Sequence, residues 1–180
     1  MERTGLLKKN IGAYLRKGQL LREQEQARLE KPFLRKARKN FTVANLLFRI
    51  SEREEVKSTL AAASDFEAYD WVIIMSYYAM YVSALAALAR HGFRSKSHAA
   101  TIMVLEYQYV HRQKRLEAKH LQQLTKAYAL SEDLISKLVR TKTKRETAQY
   151  DATAAISQQN AASALADAEE FITKIEEVLG

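Results

Sequence analysis

The stretch Trp71-Val-Ile-Ile-Met-Ser-Tyr-Tyr-Ala-Met-Tyr-Val-Ser-Ala-Leu-Ala-Ala-Leu88 decides the fold class of this chain. It contains no charged side chain, and its strongest apolar positions continue a helical stripe that begins just before it. That stripe consists of Phe66, Tyr69, Ile73, Tyr77, Met80, Ala84 and Leu88. A helix beginning near Asp65 would end before Gly92, a residue suited to a left-handed stop. The pattern predicts a central helix that is buried on several sides.

The uncharged run continues to Ala89 and has the length of a short membrane span. Three Tyr, two Ser and many Ala make it only weakly apolar, so a buried helix is favoured and no membrane association is expected. The first ten residues show no secretion signal, and the chain has no cysteine, which favours a cytoplasmic protein.

Other segments have helical patterns as well. Helices are predicted over 5–30, from Phe33 to about residue 52, from His98 to about Arg112 with Ser97 as cap, over Glu117–Arg140, and from Ser157 onward. Capping-box patterns at Ser51-x-x-Glu54 and Ser64-x-x-Glu67 predict a boundary between about 52 and 64. No segment reads as a strand. The chain is therefore predicted to be an all-α, up-and-down bundle of five to six helices.

Charge divides the chain into two parts, which we interpret as a basic helical arm over 1–31 and a helical bundle over 32–180. Residues 1–57 carry the whole net charge of +8, with 15 Lys and Arg against seven Glu. Residues 112–145 form a second basic segment, while 146–180 are acidic. Such faces attract polyanions, although Lys and Arg equally often do no more than solvate helix surfaces.

Two segments carry a family resemblance. The first is Trp71-x5-Tyr77-Tyr78-Ala79-Met80-Tyr81-x3-Leu85-Ala86-Ala87-Leu88, followed by Gly92 and Ser97-His98. The second is Arg145-Glu-Thr-Ala-Gln-Tyr150-Asp151, followed by an Ala-rich helix with Phe171 and Ile175. Together they resemble the small prokaryotic HEPN proteins, over roughly residues 33–179.

The resemblance implies a helical bundle that is commonly dimeric and often encoded beside a small nucleotidyltransferase as a toxin–antitoxin pair. Active members are metal-independent ribonucleases that use an Arg and a His separated by four to six residues. In such a site the guanidinium holds the scissile phosphate and the imidazole moves a proton. No metal and no cofactor are expected.

The chain departs from this signature, because Tyr150 stands where the His is expected after Arg145. A phenol with an ordinary pKa near 10 is a poor general base at neutral pH. Gln149 also replaces the Asp that precedes this Tyr in the family. The segment therefore favours binding of phosphate or nucleotide over cleavage, with Arg145 and Tyr150 as the catalytic candidates.

Candidate phosphate ligands surround the predicted start of the helix at residue 98. His98 follows Arg94 and Lys96, and its imidazole and the free N–H groups of the helix start would suit a phosphate. A His that only forms local hydrogen bonds is the favoured alternative. Arg140 and Lys144 lie in the basic segment before Arg145 and complete this set.

A literal Arg-x4-His match also occurs at Arg115 and His120, outside the family's segment. With many Arg and four His in the chain, about one such match is expected by chance, so it is kept only as an alternative motif. The aromatic group of Trp71, Tyr77, Tyr78 and Tyr81 would be able to stack on bases. Its helical spacing favours core or a dimer interface instead.

These residues predict a HEPN-like, RNA- or nucleotide-associated protein, the helical partner of a toxin–antitoxin or defence module, with a degraded ribonuclease motif. The expected partners are RNA or nucleotide, a nucleotidyltransferase antitoxin and a second copy of the chain. The alternative is a non-catalytic, dimeric RNA-binding or scaffold protein that uses its basic arm.

Overall fold

The computed structural model of the protein describes residues 2–145 and 157–180. Within these residues the chain forms seven α-helices, two short strands, a 3-10 helix and a π-helical turn. They are α1 Glu2–Arg16, β1 Leu20–Arg22, the 3-10 helix Gln24–Leu29, α2 Glu30–Glu52, α3 Glu54–Thr59, α4 Tyr69–Arg90, β2 Phe93–Ser95, α5 His98–Leu105, the π-helical turn Glu106–Arg112, α6 Ala118–Arg145 and α7 Gln158–Leu179. The prediction of an all-α bundle is confirmed.

Helix α4 is the centre of the bundle and packs against α2, α6 and α7. Fifteen of its 22 residues are buried, which explains why the stretch from Trp71 to Leu88 carries no charge. By length and composition α4 would be able to cross a membrane, but 78% of its most apolar window is buried inside the protein. Burial within the bundle thus accounts for the apolar character of this helix.

Contacts at the helix ends show the relative directions of α2, α4 and α7. Arg90, at the end of α4, donates two hydrogen bonds to the carboxylate of Glu30, at the start of α2, at 2.7 and 2.8 Å. It also donates to the carbonyl of Leu179, at the end of α7. At the opposite end, the Tyr69 hydroxyl donates to Glu52 at 2.5 Å. Helix α2 is therefore antiparallel to α4, whereas α7 is parallel to it.

The predicted helix over 5–30 is wrong beyond residue 16. Gly18 adopts a φ of +65°, the N–H of Gly18 donates to Leu15 and that of Gln19 donates to Tyr14, which is a Schellman stop. The chain then turns, and Leu20 is fully buried. The segment after α1 is therefore a strand and a 3-10 helix.

The expectation that no segment forms a strand is also wrong. Strands β1 and β2 pair antiparallel, with Leu21 opposite Arg94. The pairing draws the N-terminal segment onto the bundle, where α1 packs against α5 and buries Leu7 and Ile11.

The predicted boundary after about residue 52 is confirmed, because α2 ends at Glu52. The predicted capping boxes are wrong, because neither α3 nor α4 has a side-chain cap. Ser51 lies inside α2, where its hydroxyl donates to the carbonyl of Leu47 and accepts from the N–H of Ala68. Helix α4 begins at Tyr69, four residues later than Asp65. Ser51 therefore ties the end of α2 to the start of α4.

Predictions for the second half of the chain agree well with the structure. Gly92 has a φ of +69°, and Ser97 and Ser157 cap α5 and α7 through their side chains. The predicted helix from His98 to Arg112 is present, although its second half is π-helical. Helix α6 runs to Arg145, five residues past the expected end.

Candidate nucleic-acid interface

His98 is more enclosed than Arg94 and Lys96, the other predicted phosphate ligands whose side chains the structure describes. Its ring stacks on that of Tyr128, with centroids 4.0 Å apart and an interplanar angle of 13°. The rings of Tyr77 and Tyr81 lie 6.0 and 5.9 Å away. Among the described residues, both ring nitrogens are buried and have no hydrogen-bond partner.

This aromatic surrounding fixes the charge of His98. Burial lowers the pKa of its imidazole from the usual 6.5 to about 4, so the ring is neutral at pH 7. A neutral ring with buried nitrogens presents no cation or accessible N–H to a phosphate. In this arrangement His98 joins α5 to α4 and α6 as a packing residue.

Arg94 and Lys96 lie at the surface of the small sheet, next to His98 in sequence. The Arg94 guanidinium is 3.8 Å from the carboxylate of Glu23, an exposed pair. The Lys96 side chain is exposed, and its backbone N–H donates to Gln19 at 2.9 Å. The sheet thus places these two cations at the surface, while the neighbouring imidazole turns into the bundle.

The alternative motif residues Arg115 and His120 both form hydrogen bonds within the protein, Arg115 at the surface and His120 in the interior. Arg115 donates to the carbonyl of Glu177 at 2.7 Å, at the end of α7. His120 is 2% exposed, and its Nδ1 accepts from the N–H of Glu117 at 3.1 Å, at the start of α6. Both contacts satisfy free backbone groups at helix ends.

The surroundings of His120 are acidic. Its Nε2 lies 3.8 Å from a carboxylate oxygen of Glu170, which also receives hydrogen bonds from Lys119 and Gln123. Those bonds lower the pKa of Glu170. A groove here also includes Glu117, Glu169 and Glu177 among its lining residues, a poor environment for an RNA phosphate.

Arg145 is the last residue of α6, and Tyr150 lies outside the described residues. Arg140 and Lys144 occupy the last turns of the same helix, and the side chains of all three basic residues lie outside what the structure describes. Elsewhere in the described chain, no group of His, Asp and Glu is arranged to hold a metal ion.

The structure reveals a basic surface that the sequence analysis did not single out. Six cations project from the outer side of α2 and its last cap, and all are exposed. These residues, which we call the α2 basic face, are Lys31, Arg35, Lys36, Lys39, Arg49 and Arg53. From Lys31 to Arg53 the face is about 33 Å long at the rise of an α-helix.

The cations of the α2 basic face lack acidic partners. Among the described residues, none of the six forms an ion pair or a side-chain hydrogen bond. Helix α2 has two carboxylates of its own, and both are occupied, Glu30 by Arg90 and Glu52 by Tyr69 and Gln158. The positive charge of this face is therefore not neutralised locally.

Unlike the cations of the α2 basic face, neighbouring Arg38 has an acidic partner. Its guanidinium donates to Glu176 of α7, with one bond at 2.8 Å, and this hydrogen bond raises its pKa. Arg38, Glu176, Arg35 and Lys39 line a groove of about 650 Å³ between α2 and α7. The groove forms one edge of the α2 basic face, and Arg38, which is held by Glu176, lines it.

The aromatic group divides into buried and exposed members. Tyr77 is 7% exposed, and burial raises its pKa. Tyr81 is half-buried beside it, with the two ring centroids 5.8 Å apart. Trp71 and Tyr78 are 49% and 41% exposed. The core interpretation is therefore confirmed for Tyr77, whereas Trp71 and Tyr78 face outward.

Comparison with known proteins identifies a family model that fits this chain. The model of the HEPN domain matches residues 31–178, most of the chain and nearly the same span as the resemblance seen in the sequence. A search of curated proteins finds no match. The matched span includes the α2 basic face, all of α4 and the segment from Arg145 to Tyr150.

Proposed function

Because the chain belongs to the HEPN family, we propose that it is an RNA-binding helical protein that holds RNA phosphates on its α2 basic face. The family supports association with RNA or nucleotide, and the charge pattern of this chain supports a particular surface for it. The contacts favour α2 over the turn at His98 as the phosphate-binding surface, since the His98 imidazole is neutral and enclosed.

One observation carries the proposal: six exposed cations, which have no partner among the described residues, follow one side of α2 and its C-terminal cap. Lys and Arg that already have carboxylate partners gain little from a phosphate, because binding would cost the existing ion pair. Unpaired cations bind phosphates by releasing condensed counterions from the RNA. Contacts of this kind position the nucleic acid without reading its sequence.

A ribonuclease is the second candidate function, and the spacing of Arg145 and Tyr150 supports it. Arg145 would hold the scissile phosphate, and Tyr150 would donate a hydrogen bond. The absence of the motif His leaves no residue there with a pKa suited to accept the proton of a 2′-hydroxyl at neutral pH. Binding without cleavage is therefore our first proposal.

The biological setting is proposed from the family alone. We infer that the chain acts in the cytoplasm as a homodimer and as the helical partner of a nucleotidyltransferase in a toxin–antitoxin or defence module. A nucleotidyltransferase gene beside the gene for this chain, and co-purification of the two products, would support this. A lone gene whose product purifies as a monomer would count against it.

Salt dependence tests RNA binding directly. We expect a labelled single-stranded RNA of about 12 nucleotides to bind with an affinity that falls steeply between about 50 and 200 mM salt. If all six cations contact phosphates, a plot of log affinity against log salt should have a slope of about −4, since each contact to a single strand contributes about −0.7. A slope near zero, or no binding at about 50 mM salt, would remove the proposal.

A further inference from the structure

The groove between α2 and α7 is lined by aliphatic groups as well as by charges. Its volume of about 650 Å³ lies within the range of about 300–1,000 Å³ that is typical of small-molecule sites. Leu34 and Val43 line it, and Val43 is 42% exposed. Thr42 also lines it, but its hydroxyl donates to the carbonyl of Arg38 at 2.9 Å, so that proton is used within α2. The groove therefore has an apolar surface that the described part of the chain leaves uncovered.

Two cations without acidic partners line the same groove. Arg35 and Lys39 are exposed members of the α2 basic face, and neither forms an ion pair among the described residues. They are four residues apart, so both side chains leave α2 on the same side. Their stems are apolar and extend the aliphatic lining, while their charged ends remain in water. An occupant that fits this groove has negative charge beside an apolar body.

Arg38 gives the groove a fixed planar group. Its Nε donates to Glu176 at 2.8 Å, and its Nη2 donates to the other oxygen of the same carboxylate. The Nη2 also donates to the hydroxyl of Thr173 at 3.3 Å. Because two bonds to one carboxylate set the orientation of a guanidinium, α7 holds this plane in place before any ligand binds. The Arg38 side chain is still 38% exposed, and RNA bases can stack on a guanidinium plane.

We propose that the groove between α2 and α7 binds one unpaired base of the RNA, with the Arg38 guanidinium against the base and with Arg35 and Lys39 on its phosphates. This inference rests on the proposed function and deepens it, because it makes RNA with unpaired bases the preferred substrate. A single strand has both features that the groove requires, an accessible flat base and a phosphate on each side of it. In a duplex the bases are stacked on each other and do not enter the groove.

Charge argues against a second copy of the chain in this groove. A two-fold dimer through the groove would bring Arg35 and Lys39 of both copies together, and like charges at an interface are repulsive. An acidic segment of another protein would complement the charges, but it supplies no flat group for the Arg38 plane. RNA supplies both, along a face whose cations continue beyond the groove to Arg53.

An abasic strand separates base binding from phosphate binding. We would use fluorescence anisotropy to measure how the full chain binds a labelled single-stranded RNA of about 12 nucleotides and an abasic strand with the same number of phosphates. We expect the RNA to bind about tenfold more tightly than the abasic strand. Adenosine monophosphate should compete only weakly with the RNA, because it lacks the phosphates that reach the rest of the α2 basic face.

Two variants alter the groove without changing its charge. Arg38→Lys keeps the positive charge and removes the planar group. It should lower RNA affinity about tenfold, while the affinity for the abasic strand and the salt slope stay the same. Val43→Ser removes apolar lining at an exposed position and should lower RNA affinity about threefold, again without affecting the abasic strand.

Two variants of α1 are matched controls. Arg3→Lys changes an arginine that binds Glu106 through the same two nitrogens as Arg38 uses, at 2.9 and 3.1 Å. Leu6→Ser removes an apolar side chain that is 50% exposed. Both controls should bind the two strands as the unmodified protein does. Circular dichroism and urea unfolding would show that each variant is folded.

Four results would overturn the inference. Equal affinity for the RNA and the abasic strand would show that the groove binds no base. Equal losses for both strands in Arg38→Lys and Val43→Ser would give these residues a structural role only. A poly-glutamate peptide that binds as tightly as the RNA, and is weakened equally by Val43→Ser, would assign the groove to an acidic protein. Adenosine monophosphate that competes as well as the RNA would assign it to a free nucleotide.

Failure of the groove and failure of the proposed function are distinguishable. If Arg35→Gln with Lys39→Gln leaves the affinity for both strands unchanged, the α2 proposal itself fails. If this double variant binds both strands more weakly but the RNA and the abasic strand bind equally well to the unmodified protein, only the base site fails.

Discussion

The imidazole of His98 stacks on the phenol ring of Tyr128, with ring centroids 4.0 Å apart, and burial lowers its pKa so that it is neutral at pH 7. The unfolded chain takes up a proton at this His below a pH of about 6.5, whereas the folded chain does so only near 4. The free energy of unfolding should therefore be highest above pH 6.5 and fall as the pH decreases from 6.5 to 4. With allowance for partial exposure of the ring, the loss should be about 1–2 kcal/mol.

Urea unfolding at several pH values would measure this loss. His98→Phe should keep the ring stack and lose the part of the pH dependence that comes from His98. The comparison with the variant is needed because burial also lowers the pKa of His91, which acts in the same direction. The same pH dependence in both proteins would show that His98 titrates normally.

Arg90 should be a larger contributor to stability than an ordinary surface arginine. Arg90 lies at the end of α4 and binds Glu30 at the start of α2 and Leu179 at the end of α7. The Glu30 side chain is 17% exposed. Arg90→Ala leaves that carboxylate without its partner, and we expect a loss of about 1–2 kcal/mol in the free energy of unfolding.

Arg28→Ala is the matched control, because Arg28 and Glu25 are 68% and 79% exposed. Its loss should be below about 0.5 kcal/mol. Equal losses for Arg28→Ala and Arg90→Ala in urea unfolding would contradict the role given to Arg90.

Gly92 is required by its backbone conformation and by a close neighbour. Its φ is +69°, and a Cβ at this position would lie 3.3 Å from the carbonyl oxygen of Glu23. Gly92→Ala should lower the free energy of unfolding by about 1–2 kcal/mol. Gly12→Ala, inside α1 and with only the end of Arg16 within contact distance, should raise it by about 0.5–1 kcal/mol. Thermal unfolding would reveal the opposite signs, and shifts of one sign would refute this account of Gly92.

RNA should remain intact when it is incubated with the protein in the presence of a chelator. A phenol at position 150 is not suited to accept a proton at neutral pH, so Arg145 would bind phosphate without turnover. Gel electrophoresis of the RNA over time would check this. Cleavage that is lost in Arg145→Ala would instead support the ribonuclease candidate.

Helical periodicity and cap residues predicted much of the fold, since both are local properties of the chain. Gly92, Ser97 and Ser157 mark helix ends where the structure has them. The strand pair was missed because β1 and β2 are three residues each, too short for an alternating pattern, and more than 70 residues separate Leu21 from Arg94. Gly18, a residue type that commonly ends helices, indicates the end of α1, although the predicted helix ran past it.

The binding surface was harder to predict than the fold, because sequence shows where the cations are but not which of them have partners. Arg35 and Arg38 lie in one helical turn of the same basic segment. Only the tertiary structure pairs Arg38 with Glu176, 138 residues away, and gives Arg35 no partner among the residues it describes. The sequence did indicate which cations face outward, because the apolar stripe of α2 lies on the opposite side of the helix from Arg35, Lys39 and Arg49.

The charge of α2 is best tested by comparing RNA affinity in two double variants with equal loss of charge. Arg35→Gln with Lys39→Gln removes two cations of the α2 basic face, and Lys8→Gln with Lys9→Gln removes two exposed, unpaired cations of α1. Fluorescence anisotropy with one labelled single-stranded RNA, repeated over a range of salt, would measure both. We predict that the α2 variant binds more weakly and that its salt slope is smaller by about 1.4, while the α1 variant keeps nearly the original affinity and slope. Equal losses in the two variants, or no loss in the α2 variant, would contradict the central claim that α2 binds RNA.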